Sequence, residues 1–197
     1  MSVSQSLALD PNALSPRARE AFEKRFLPRF AALEKDKARE TLTILVWGSG
    51  PADKEMFAKR MQIRDALRAL EHAAFFSEEL RAIKSPDESE KTFEYKQAKA
   101  ADAILVLMAS FGAVAEAHDF ADDRDIAARM QIYVPASAAG GYSDQGALAD
   151  LRALFRNVEM FQPEEIASCQ LKTRALDYIA HLQATKWMAK KKAESWG

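Results

Sequence analysis

The chain has 197 residues, 48% hydrophobic and 29% charged, with 28 Lys and Arg against 29 Asp and Glu and a formal net charge of −1. That length suits one full domain and is short for two. The balanced charge removes any bulk electrostatic case for nucleic acid or an anionic membrane as partner. The single cysteine, Cys169, excludes an internal disulfide and a cysteine-cluster metal site, and it fits a reducing compartment. MSVSQSLALDPNALSP carries neither a basic stretch nor a long apolar one, so no signal peptide is expected. No apolar run approaches the roughly 20 residues that span a bilayer, and a soluble cytoplasmic protein is the default expectation.

Residues 1–40 read as a loosely docked lead and an accessory helix. Ser15 is placed to cap that helix and Pro16 suits its first turn. Phe22, Phe26, Phe30 and Leu33 recur at helical spacing, and Pro28 predicts a kink. The main domain spans 41–197. LTILVW (42–47) is a short continuous apolar run, as in a strand covered on both faces. GSGPAD interrupts it, and helical periodicity follows through Phe57, Met61, Ile63, Ala66, Leu67 and Leu70. AAFFS is the second strand, EELRAIKSPDESE a polar loop with at most a turn of helix, and EKTFEYKQAKAA a helix. DAILVLMA is the clearest strand of the chain. One helix is expected over AVAEAHDFADDRDIAARM, then the strand QIYVP and a long glycine-containing loop, ASAAGGYSDQG. The helix ALADLRALF and the strand NVEMF follow. A single long helix from Pro163 closes the chain, with Cys169 in its apolar stripe beside Ile166 and Ile179 and lysines near its end.

Five short apolar strands alternating with helices call for right-handed crossovers and a parallel sheet with helices on both faces. The expected fold class is α/β: a flavodoxin-like three-layer sandwich, strand order 2-1-3-4-5, with an N-terminal accessory helix and a long C-terminal helix. Such sheets bind ligands beyond the carboxyl ends of their strands, near the reversal of strand order. Three loops meet there: Gly48–Asp53, Ser110–Ala113 and Pro135–Gly146. In the first, Gly48, Ser49 and Gly50 offer backbone for a phosphate or serve plain turn chemistry, and a lone G-x-G does not decide between them. Asp53 is a candidate contact for a ribose or base. Trp47, Phe111 and Tyr142 are candidates to stack on a base or to pack. Gly140, Gly141 and Gly146 make the third loop a candidate lid. The acidic run Glu116, Asp119, Asp122, Asp123 and Asp125 faces several directions, and His72, His118 and His181 lack ligand spacing, so no metal is expected.

Glu116 follows the third strand on the switch-point side and is expected in the first turn or so of its helix. There the positive helix end favours the ionised carboxylate, which suits a nucleophile or a stabiliser of positive charge better than a general acid. Acidic residues also occur in first turns for the dipole alone.

DAILVLMASFGAVAEAHDFA resembles the centre of the nucleoside 2-deoxyribosyltransferase-like and TIR-like group of Rossmannoid proteins. The shared pieces are Asp102, the strand to Met108, Ser110, Gly112 and Glu116, over a topology covering residues 42–162. Deoxyribosyltransferases carry Gly-Thr before the glutamate, where this chain has Gly112-Ala113. The resemblance implies that Glu116 attacks or stabilises C1′ of a ribosyl group as an N-glycosidic bond breaks. It implies a nucleotide or nucleoside as partner, NAD or a related nucleotide as candidate substrate with no separate cofactor, and prokaryotic antiviral defence as context. Substrate-binding candidates are Trp47, Gly48, Ser49, Gly50, Asp53, Ser110, Phe111, Gly112 and Tyr142. A non-catalytic nucleotide sensor and a TIR-like interaction module remain alternatives, with the terminal helices as candidate surfaces for self-association.

Overall fold

Within each apolar run of the main domain, successive side chains leave the backbone on opposite sides, and both sides find cover. The computed structural model describes residues 13–108 and 111–196, apart from the side chains of residues 111–114, Glu116, Tyr142, Ser143 and Trp196. In β1 (Thr43–Trp47), Ile44 and Val46 enter one apolar layer while Leu45 and Trp47 enter the other. β3 (Ala103–Leu107) repeats this, with Ile104 and Val106 opposed to Ala103, Leu105 and Leu107. With β2 (Ala73–Phe75), β4 (Met130–Pro135) and β5 (Val158–Phe161) they form one five-stranded parallel sheet of order β2-β1-β3-β4-β5. The expected α/β, flavodoxin-like architecture is thus observed.

The helices are, in chain order, α1 (Pro16–Ala21), α2 (Leu27–Ala38), α3 (Lys54–Ala69), α4 (Glu90–Ala100), α5 (Phe111–Phe120), α6 (Arg124–Ala127), α7 (Tyr142–Gln145), α8 (Ala147–Phe155), α9 (Pro163–Ala167) and α10 (Gln170–Trp196). One face of the sheet is covered by Ala98 of α4, Ala117 and Phe120 of α5, Ile126 of α6, and Leu148 and Leu151 of α8. The other is covered by Met56, Ile63 and Leu67 of α3 and by Leu171, Ala175 and Ile179 of α10. The side of each helix follows from handedness: β1 to β2 steps one way along the sheet, and the later crossovers step the other way.

Three segments depart from the periodicity reading. The helix expected from 113 to 130 breaks after Phe120, because the Asp123 carboxylate accepts from the N–H groups of Asp125 and Ile126 and starts α6 afresh. The closing helix breaks at Ser168–Cys169, between α9 and α10. There Lys59 of α3, 4% exposed, donates to the Ser168 carbonyl at 2.7 Å and removes that acceptor from a continuous helix. The register restarts so that Leu171, Ala175 and Ile179 form the buried stripe, and Cys169 is exposed rather than in the core. The segment 136–146 holds a 3₁₀ turn and α7. Asp144 accepts from Gly140 N–H at 2.8 Å and pairs with Arg152 at 2.6 Å, so the described part is a folded turn.

The chain up to Glu40 forms a unit of its own, and the chain from Thr41 onward another. In the first, Ser15 caps α1 by accepting from Ala18 N–H. Pro28 lies at the start of α2 behind a π-helical turn, Phe22–Phe26, in which Leu27 N–H reaches back to the Phe22 carbonyl. That wider turn accommodates a residue that cannot donate. Phe22, Phe26 and Phe30 stack in sequence, with ring centroids 5.3 and 5.8 Å apart.

Candidate functional site

β1 and β3 are the neighbours between which the strand order reverses, and Gly48 follows β1 directly. Its φ is 155°, and a Cβ there would lie 3.1 Å from Leu107 Cβ and 3.2 Å from the Leu107 carbonyl oxygen. Glycine is needed here because the two central strands approach each other at the mouth. Gly50 meets nothing within 4 Å and is an ordinary turn position. Ser49 is buried, and its hydroxyl has no hydrogen-bond partner among the described residues. Asp53 caps α3, accepting from Met56 N–H at 3.2 Å, so its carboxylate already serves the helix. Trp47 is fully buried. Its indole N–H donates to Ser77 Oγ at 2.7 Å and its ring lies 5.5 Å from that of Phe120, so it is a wall of the core and offers no face to a base.

Beneath this loop sits Arg60, 2% exposed. Its Nε donates to the Val46 carbonyl at 2.9 Å and Nη1 to the Ser49 carbonyl at 3.4 Å. Both terminal nitrogens bond Glu78, at 2.7 and 2.9 Å, and the guanidinium lies 4.0 Å from the centre of the Phe76 ring. The planar fork can satisfy strand, loop and carboxylate together, which an ammonium cannot. Burial pushes the Glu78 carboxyl up, but the Arg60 hydrogen bonds, a backbone N–H and the charges of Arg60 and Arg81 outweigh it and hold it below its ordinary value. Sequence reading missed this pair. The available signal was the stripe Met56, Arg60, Ile63, Leu67, in which a cation occupies an otherwise apolar helix face.

On the β3 side, α5 begins at Phe111, so Glu116 is its sixth residue and lies beyond the first turn. There, just past the first turn, the field of the helix end is weaker than at its first residues. Ser110 lies outside the described residues, as do the side chains of Phe111, Glu116 and Tyr142; Gly112 belongs to the helical backbone of α5. The neighbours of Glu116 define two flanks. Asp119 pairs with Lys91 of α4 at 3.0 Å. His118 lines a cavity of about 320 Å³ with Gln145, Gly146 and Ala147, and its Nε2 is buried with no partner among the described residues.

Glu94 of α4 is the one described carboxyl whose pKa is raised: burial acts first, then the charges of Glu90 and Asp119, against an opposing Arg81. Asp102 stands at the opposite end of the sheet from the mouth. It accepts from Thr43 N–H at 2.8 Å and pairs with Lys186 of α10 at 2.9 Å. Burial raises its pKa, but those two bonds and the charges of Lys186 and Arg129 bring it below the ordinary value. It joins α10 to the sheet. Among the described residues no three His, Cys, Asp or Glu side chains are grouped to hold a metal ion. No described helix is long and apolar enough to cross a membrane. No known family model matches the chain, and no curated protein matches it.

Proposed function

We propose that the protein breaks an N-glycosidic bond in a nucleotide or nucleoside, with Glu116 as the anionic catalyst. The observation that carries the reading is topological. α5 leaves the carboxyl end of the central strand β3, beside the close approach of Gly48 to Leu107, at the reversal of order in a 2-1-3-4-5 sheet. The resemblance of residues 102–116 to deoxyribosyltransferase-like and TIR-like proteins supplies the role of the glutamate. Cleavage passes through an oxocarbenium-like state, and a carboxylate near C1′ stabilises the positive charge that develops there.

Nicotinamide leaves NAD as a neutral base that takes the electron pair of the C1′–N bond, so no proton donor is needed: the anion stabilises the positive C1′, and water adds there and releases a proton. A purine needs a proton as it leaves, so it asks for an acid in addition to the anion. NAD is the simpler substrate, and the defence context suggested by the resemblance belongs to the same reading. A second reading, a sensor that binds a nucleotide without turnover, is supported by the buried Ser49 hydroxyl beside Gly48, which has no partner among the described residues; Trp47 and Asp53, engaged in core and cap, serve neither reading.

The experiment compares wild type and Glu116→Gln on NAD and on deoxyinosine, following free base. Turnover that falls about 10²–10³-fold in the variant supports catalysis. Ligand-induced thermal stabilisation with no base released selects the sensor. Turnover unchanged in Glu116→Gln refutes the role of the glutamate.

A further inference from the structure

Away from the switch point, the domain carries a half-open cavity of about 370 Å³ between α4 and the β1–β2 edge of the sheet. Its walls are predominantly apolar: Leu45, Phe75, Leu80, Ile83 and Phe93 contribute. Thr43, at the start of β1, and Ala100 and Ala101, at the end of α4, line it too. It therefore reaches toward the amino ends of the strands, opposite to the Gly48 loop. The volume is in the range of small-molecule pockets, and an apolar wall with a few polar groups is their usual composition.

Gln97 is the polar group that stands out. It lines this cavity and is only 7% exposed, yet neither its amide oxygen nor its amide nitrogen has a hydrogen-bond partner among the described residues. Buried side-chain amides are nearly always paired, because an unmade bond leaves the cost of desolvation uncompensated. A second observation points the same way. Ile83, the last residue of the 3₁₀ helix Ser77–Ile83 that follows β2 and lines the cavity, is 76% exposed, an apolar side chain with nothing covering it among the described residues. At the rim the buried carboxylate of Glu88 is neutralised by Lys96 at 2.6 Å. The cavity thus offers rings and aliphatic chains, the unpaired amide of Gln97, the Thr43 and Ser85 residues in its wall, and one ion pair whose charges cancel.

We propose that this cavity binds a small, neutral, planar heteroaromatic molecule whose carboxamide or lactam edge pairs with the Gln97 amide. A glutamine amide presents acceptor and donor side by side. It meets a carboxamide or lactam through two parallel hydrogen bonds, as glutamine does with the edge of a base. Phe75 and Phe93 supply the aromatic surface that a flat ring prefers. The paired rim charges give a phosphate nothing to bind, so the free base is accepted and its nucleotide is not. The site is independent of Glu116.

The probes are nicotinamide for the carboxamide, hypoxanthine for the lactam, inosine monophosphate for the phosphorylated form, and quinoline, a flat bicycle with one acceptor and no donor. Calorimetric titration and the side-chain amide signals of Gln97 in ¹⁵N-labelled protein are the readouts. Saturable binding of nicotinamide or hypoxanthine at up to millimolar concentration is expected, with shifted Gln97 signals. Quinoline and the nucleotide should bind at least about tenfold more weakly. Which of the two amide probes binds more tightly identifies the edge.

Gln97→Leu keeps the volume and removes the amide, so it should lose about tenfold or more in affinity for the amide probe and none for quinoline. Ala100→Phe enlarges a wall residue of the cavity one turn along α4 from Gln97 and should weaken both. Glu116→Gln should change neither, which separates this site from the catalytic reading. Undiminished binding in Gln97→Leu, tighter binding of the nucleotide than of its base, or no binding with unmoved Gln97 signals would each overturn the proposal.

Discussion

Replacing Gly48 with alanine tests the geometry on which the switch point depends. The new methyl group would lie 3.1 Å from Leu107 Cβ and 3.2 Å from the Leu107 carbonyl oxygen, and the residue would have to keep a φ of 155°. Backbone strain of that kind costs about 1–3 kcal/mol, and forcing an extra methyl into close-packed surroundings costs a further ~1–3 kcal/mol. The unfolded alanine chain has fewer conformations to lose than glycine, which returns about 0.4–1 kcal/mol. The net expectation is a loss of about 1–6 kcal/mol, centred on ~3 kcal/mol, a large share of the roughly 5–15 kcal/mol that holds a domain together.

Gly50→Ala is the internal control. It sits two residues along the same loop, its φ is outside the left-handed region, and its Cβ would meet nothing within 4 Å. Its stability should stay level or rise slightly. Urea denaturation followed by far-ultraviolet circular dichroism measures both. Gly48→Ala should lower the midpoint by about 1 M or more at an unchanged slope, and Gly50→Ala should not lower it. Equal midpoints for the two variants would refute the close approach of β1 and β3 as the reason for the glycine.

His72 is buried, and its Nδ1 accepts from Leu42 N–H at 3.3 Å. Burial lowers its pKa below 6.5, so the folded state binds the proton less well than the unfolded one. Stability should be insensitive to His72 above about pH 6.5 and fall as pH drops through the window below it; a His72→Gln variant should flatten that limb of the urea midpoint against pH. Glu94 has the opposite sign. Its carboxyl is raised above 4.5, so its ionised form weakens the fold at neutral pH, and Glu94→Gln should raise the midpoint at pH 7 and leave it unchanged below about pH 4. Cys169, exposed at the break between α9 and α10, should react with a disulfide reagent in the native protein as fast as after addition of urea. Tyr133 is fully buried, burial raises the pKa of its phenol, and its hydroxyl has no partner among the described residues; Tyr133→Phe should therefore cost less than about 0.5 kcal/mol in the same urea assay, or stabilise.

Local pattern alone determined the five strands, the burial of the three central ones on both faces and the parallel order 2-1-3-4-5, because TILVW, AILVL and MQIYVP are short, apolar and separated by helical periodicity. It also located Gly48 and Glu116 on the loops and helices that leave β1 and β3. Long-range partners decided what periodicity does not carry. Whether Trp47 stacks on a ligand or packs depended on Ser77 and Phe120. Arg60 interrupts the apolar stripe of α3 in the sequence, but its partners, the β1 carbonyl and Glu78, come together only in the folded domain. The closing helix read as continuous because nothing local reports that Lys59, 109 positions away, takes the Ser168 carbonyl. The pattern of hydrophobic residues fixes which faces are buried; which polar atoms meet inside is set only once the sheet has brought distant segments together.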